Sequence, residues 1–210
     1  MTSVAPALTR AMPLEAGMRL NREEFHALYL AHPEVRKAEL IDGVVYAPSP
    51  VSRFHAPQHA LISAWLCAFT IGDEALQCAD NGTVLFPGAN EVQPDCALWR
   101  EGGAAHYNHD GYLEGPPGLI AEITASSRQY DLGSKKELYR RSGVQEYLVW
   151  RTVDGAIDWW GLEGGEYIPI AAGRDGITES RVFPGLRLDV PRLLSGDRSR
   201  LLADIGPSAD

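Results

Sequence analysis

The sequence predicts one α+β domain of the α/β type, a mixed β-sheet flanked by helices. Three observations predict it. The chain alternates helix, hairpin, helix, strands, helix and strands in that order. No internal repeat, heptad seam or low-complexity segment interrupts it, and the 210 residues hold one substantial core with little left for a second.

Taken in order, residues 1–20 are rich in Ala, Pro and Thr and read as a flexible lead-in to a domain spanning 21–195, with a tail over 196–210. Asn21 followed by Glu24 and apolar residues at helical spacing predicts a capping box opening a helix over 21–30. Residues 37–46 hold two strand-like runs around Asp42-Gly43, a dipeptide that supplies the positive φ angles of a tight hairpin. Glu39 then sits on its first arm. Pro48, Pro50 and Pro57 punctuate a connection to residues 60–69, which are apolar on nearly all sides and predict a buried helix. Residues 83–86 and 95–99, separated by a Pro-Gly turn, predict a pair of strands, and the glycine-rich stretch 100–117 a long polar loop. A strand over 118–124 precedes a helix of about three turns between Asp131 as N-cap and Gly143 as stop. A strand over 146–150 and a meander through 157–160 and 167–170 complete the sheet.

No apolar run is long enough to cross a bilayer and no signal core opens the chain, so a cytoplasmic, membrane-free protein is expected. Cys67, Cys78 and Cys96 are odd in number and set among apolar neighbours, which predicts buried thiols and not a disulfide frame or zinc site. The formal net charge of −9 argues against a tight, non-specific binder of DNA. Affinity depends on local basic surface, however, and Arg128, Lys135, Lys136, Arg140 and Arg141 form the densest such cluster. A solvated helix face explains that cluster equally well.

Two strand-like runs each carry one carboxylate among apolar residues: Asp95 after Gln93-Pro94, and Glu122 between Ala121 and Ile123. An ionised acid inside such a run needs a partner, a metal ion or a chemical task. Side by side, the two would suit a hard divalent cation such as Mg²⁺. Each acid also has a structural alternative. Asp95 could cap a turn after Pro94, Glu39 could pair with Arg36 or Lys37, and Glu122 could pair with a basic residue of the next helix. His55 and His59 have the spacing of one helix face, but Pro57 between them disfavours a regular helix across both.

The succession ELIDGVV, PVSRFH, QPD, GLIAEI followed by SS, and YDLGSKKELYRRSGVQEYLVW resembles the Uma-two family of bacterial restriction-endonuclease-type proteins, members of the PD-(D/E)XK nuclease superfamily. The similarity runs from the helix at Asn21 to the VFPGLRLD string near Val182. It implies a restriction-endonuclease-like core that hydrolyses phosphodiester bonds with Mg²⁺ or Mn²⁺, with DNA as partner. A homodimer is compatible with it. By position, Asp95, Glu122 and the backbone carbonyl of Ile123 would hold the metal, and Glu39 would assist. The superfamily's lysine usually stands two residues after the acid, where this chain has Thr124, so the resemblance moves that role to Lys135 on the following helix. Lys136 is the competing assignment. His55, Gln93 and Thr124 would line the site, and Arg128, Lys136, Arg140 and Arg141 would meet phosphates. Two rival readings stay open: a catalytically silent binding module, and a hydrolase of a small phosphorylated compound.

Overall fold

The computed structural model describes residues 12–47, 53–125 and 127–203. The expected lead-in and tail lie partly outside these residues, and Pro48, Pro50 and Ser126 lie wholly outside them.

Helix α1 (Arg22–Ala31) opens with both bonds of the expected capping box between Asn21 and Glu24, each 2.9 Å. Strands β1 (Glu39–Ile41) and β2 (Val44–Tyr46) form the hairpin, with Asp42 and Gly43 at φ +52° and +72°. Helix α2 spans Ala56–Thr70. Strands β3 (Leu76–Asp80), β4 (Val84–Phe86), β5 (Asn90–Val92) and β6 (Cys96–Arg100) follow. The stretch expected as a loop holds two short strands, β7 (His106–Tyr107) and β8 (Leu113–Glu114). After β9 (Leu119–Thr124), a π-helical turn over Tyr130–Ser134 runs into α3 (Lys135–Ser142), which ends at Gly143 in the left-handed conformation. Strands β10 (Glu146–Arg151), β11 (Ala156–Glu163), β12 (Glu166–Pro169), β13 (Ile177–Glu179) and β14 (Arg187–Asp189) lead to α4 (Val190–Leu194).

The fold is mixed α+β, as expected, but its strands divide between two six-stranded sheets with a separate pair β13–β14. One sheet has the order β2-β1-β5-β4-β8-β7, the other β12-β11-β10-β9-β6-β3. The expected pairing of residues 83–86 with 95–99 is replaced. Strand β4 turns through Pro87-Gly88 onto β5, while β6 crosses to the other sheet and pairs with β3, whose LQCAD sequence lacks the alternation that announces a strand.

The second sheet is covered on both faces, which explains its nearly continuous apolar runs. Along β6, Cys96 and Leu98 pack with Ile62, Trp65 and Leu66 of α2, whereas Ala97 and Trp99 pack with the first sheet and with Leu138 and Tyr139 of α3. This second layer encloses the acids. Asp131 is not the N-cap expected of it. Helical backbone begins at Arg128, the Ser127 carbonyl accepts from the amides of Tyr130 and Asp131, and Asp131 lies buried inside the first turns. All three cysteines are free, but only Cys96 is buried, and Cys67 is exposed. Among the described residues no helix is long and apolar enough to cross a membrane.

Candidate active site

Strand register brings the two acids together. The β6–β9 ladder pairs Cys96 with Ala121, so one step beyond it Asp95 stands opposite Glu122, on the face that carries Ala97 and Ile120. Both are buried, at 3% and 2% exposure. Asp95 Oδ2 accepts the amide of Ile123 at 2.8 Å and lies 3.0 Å from His55 Nε2, while Oδ1 is 3.4 Å from Lys37 Nζ. Glu122 Oε1 accepts from Lys135 Nζ and from the Tyr139 hydroxyl, each at 2.9 Å.

The first sheet contributes Glu39. Its Oε1 lies 3.0 Å from Lys135 Nζ and accepts the amide of Gln93 at 2.8 Å, tying the hairpin to the segment that leads into Asp95. Asp131 Oδ1 stands 3.8 Å from the same ammonium. Lys135 is therefore enclosed by three carboxylates drawn from β1, β9 and the π-helical turn that leads into its own helix. Lys136, one residue on, turns outward and places its Nζ 3.5 Å from the centre of the Trp160 ring. Thr124 is buried with its hydroxyl 3.3 Å from Ser127 Oγ, which in turn donates to Asp131.

Pro57 does not separate the two histidines. It occupies the first turn of α2, where a missing N–H costs nothing, and the His55 and His59 rings stand 5.3 Å apart. His59 Nε2 lies 3.0 Å from the Asp95 carbonyl oxygen and 2.6 Å from Asp80 Oδ1. With Cys96, His59 and Asp80 form a second group whose donor atoms lie within 4.8 Å of one another. Ser63 Oγ already joins it by contacts of 2.7 Å to Asp80 and 3.1 Å to Cys96 Sγ.

A family model for Uma2, described as a putative restriction endonuclease, matches residues 22–191. The chain belongs to the Uma2 family. The fold of this Uma2 member resembles a crystal structure of a putative nuclease belonging to DUF820 from Anabaena variabilis, with a TM-score of 0.66 and 14% identity, over 84% of this chain and 98% of that one. The type IIG restriction endonuclease BpuSI aligns over 76% of this chain and 18% of its own at a TM-score of 0.37 and 14% identity, too distant to carry a structural argument. No curated protein sequence matches significantly.

The carboxyls of this Uma2 site do not share one electrostatic state. Burial alone would raise Asp95, but the His55 hydrogen bond and the charge of Lys37 outweigh it and hold the carboxyl well below the usual range. Glu122 goes the other way, pushed up to about 8 by burial, with Lys135 opposing and Asp95 and Asp131 adding to the rise. Burial also raises Asp131. Burial works against the charge on Lys135, yet Glu122, Glu39 and Asp131 around it raise its pKa well above the ordinary lysine value.

Of the residues expected to meet phosphates, the three arginines of this Uma2 chain sit outside this cluster. Arg128 pairs with Asp154 at 3.2 Å, Arg140 with Glu137 at 2.7 Å and Glu166 at 3.4 Å, and Arg141 with Asp42 at the hairpin tip. Sequence reasoning passed over Lys37 and Asp131 as members of the cluster, and gave Tyr139 no contact with Glu122. Two of them had a signal: Lys37 precedes Glu39 by two on one strand, and Tyr139 follows Lys135 by four on one helix, spacings that share a face. Asp131 lost its signal because it resembled a cap.

Proposed function

We propose that this Uma2 protein is a metal-dependent endonuclease that hydrolyses phosphodiester bonds of DNA in the cytoplasm, using Mg²⁺ or Mn²⁺. The observation that carries the reading is the convergence of Asp95, Glu122, Glu39 and Lys135 from four separate parts of the chain into one buried group. The residues fit a divalent cation. Four carboxyls, Glu39, Asp95, Glu122 and Asp131, face only two ammonium groups, Lys37 and Lys135, and burial, with the Asp95 and Asp131 charges adding to it, leaves Glu122 raised. The donors offered by Asp95, Glu122 and the Ile123 carbonyl are all hard oxygens, the preference of Mg²⁺ and Mn²⁺. The amide of Ile123 already points at Asp95, and in an extended strand a residue's carbonyl leaves on the same side as its amide.

A bound cation supplies Lewis-acid stabilisation of charge building on the phosphoryl oxygens. Both contacts of Glu122 fall on Oε1, so Oε2 would be the oxygen left to hold a cation. The Ile123 amide and His55 fix Asp95 with its charge intact. Lys135, held between Glu122 and Glu39, offsets the repulsion between the two acids and would add fixed positive charge beside the reacting phosphate.

One specific feature favours the rival reading of a silent binding module: the ion pairs already satisfy Lys135, and Arg128, Arg140 and Arg141 each have an acidic partner. Incubating plasmid and single-stranded DNA with the protein and Mn²⁺, against the Glu122→Gln variant, separates the two. Cleavage that needs both Mn²⁺ and Glu122 is the expected result, and intact DNA throughout favours the silent module.

A further inference from the structure

Beside the carboxylates lies an aromatic pair that the hydrolytic chemistry does not use. Strand register sets Tyr46 directly across from Glu39, and directly opposed residues of an antiparallel pair project from the same face with Cβ atoms about 5 Å apart. Tyr130 meets Tyr46 edge to face, with ring centres 4.6 Å apart, and immediately precedes Asp131 of the Lys135 cluster. Tyr130 is nonetheless 46% exposed. A tyrosine held by another ring at the rim of a buried acidic cluster, and still open to solvent, offers a stacking face next to the proposed reacting phosphate.

The surrounding charges narrow what would stack there. Duplex binding draws mainly on free cations neutralising phosphates, and this chain has a net charge of −9 with Arg128, Arg140 and Arg141 in ion pairs. Single-stranded nucleic acid gains affinity from base stacking on aromatic rings, which a paired and stacked duplex cannot offer without unstacking. Resting on the nuclease reading above, we propose that Tyr130, braced by Tyr46, stacks an unpaired base, so that the site takes single-stranded or locally unpaired DNA in preference to duplex.

Binding, measured apart from cleavage, tests this. A fluorescently labelled thymidine oligonucleotide, alone and annealed to its complement, is titrated with the intact protein in EDTA, followed by cleavage of both forms with Mn²⁺. The single strand is expected to bind more tightly than the duplex. Tyr130→Ala is expected to weaken single-strand binding about tenfold, whereas Tyr130→Trp retains it, with folding of each variant checked by thermal melting. Equal binding of both forms, unaffected by Tyr130→Ala, overturns the stacking role and leaves the nuclease reading standing if DNA is cut. Tyr130-dependent binding without any cleavage upholds the stacking role and overturns the nuclease reading. No binding of either form overturns the stacking role.

Discussion

Lys135 reaches from the first turn of α3 to place its Nζ 2.9 Å from Glu122 Oε1, and the same ammonium lies 3.0 Å from Glu39 on the other sheet. One cation thus bridges two sheets through their buried acids. Removing one member of such a group leaves the others as uncompensated buried charge, which is costlier than losing the pair altogether.

For Lys135→Ala, loss of most single-turnover cleavage is expected while Mn²⁺ binding persists. Stability should fall by about 3 kcal/mol, because Glu122 and Glu39 lose their shared cation. Thr124 shares the Glu122 face of β9, so adding Thr124→Lys should restore part of the activity. Lys136→Ala, which removes a charge from above Trp160, should have a much smaller effect. Full activity in Lys135→Ala defeats its assignment, and loss without rescue defeats only the geometry proposed for position 124.

Asp95→Asn tests whether this acid is strained or anchored. Two unpartnered carboxylates would gain from neutralising one of them, but Asp95 has His55, Lys37 and the Ile123 amide around it. The substitution should therefore destabilise the metal-free protein by about 2 kcal/mol and also reduce the stabilisation that Mn²⁺ confers. Thermal melts with and without Mn²⁺ read both, and an unchanged melting temperature in the absence of metal contradicts the anchoring role.

The raised Glu122 carboxyl sets a pH dependence. In the folded chain it holds its proton up to about pH 8, against 4.5 as its ordinary value. Its contribution to stability is therefore complete below about pH 4.5 and lost as pH rises through about 8. Asp95 has the opposite sign, stabilising above its ordinary value and failing only in acid, so it leaves this window undisturbed. If a divalent cation takes the place of the Glu122 proton, as proposed, the melting-temperature gain from Mn²⁺ should be larger at pH 8 than at pH 6. Glu122→Gln should flatten that difference, and a gain that shrinks with rising pH counts against Glu122 as a ligand.

Neutralising Arg128 with Lys136, or Arg140 with Arg141, tests the outer face of α3 and of the helical turns that lead into it. If these side chains leave their acidic partners for phosphates, each lost contact should weaken DNA binding and lower the salt slope by about one. Unaltered affinity and slope would assign the three arginines to the ion pairs with Asp154, Glu137, Glu166 and Asp42 seen in the structure, and Lys136 to the Trp160 ring.

By itself the sequence determined the local elements: the Asn21 capping box, the Asp42-Gly43 hairpin, the strand around Glu122, and the stop at Gly143. Each depends on a few neighbouring residues whose backbone preferences or side-chain bonds act within one turn. It also marked Asp95 and Glu122, since a carboxylate amid apolar residues is conspicuous wherever the chain goes. Only the tertiary structure decided that β4 and β6 belong to different sheets, that Asp131 is buried instead of capping, that Pro57 lets His55 reach Asp95, and that Lys135 turns inward while Lys136 lies on Trp160. Those outcomes depend on which surfaces meet across long stretches of chain. A lysine on a helix has the same local preferences facing either way, and it is the three carboxylates brought to it from β1, β9 and the π-helical turn that compensate the cost of burying its charge.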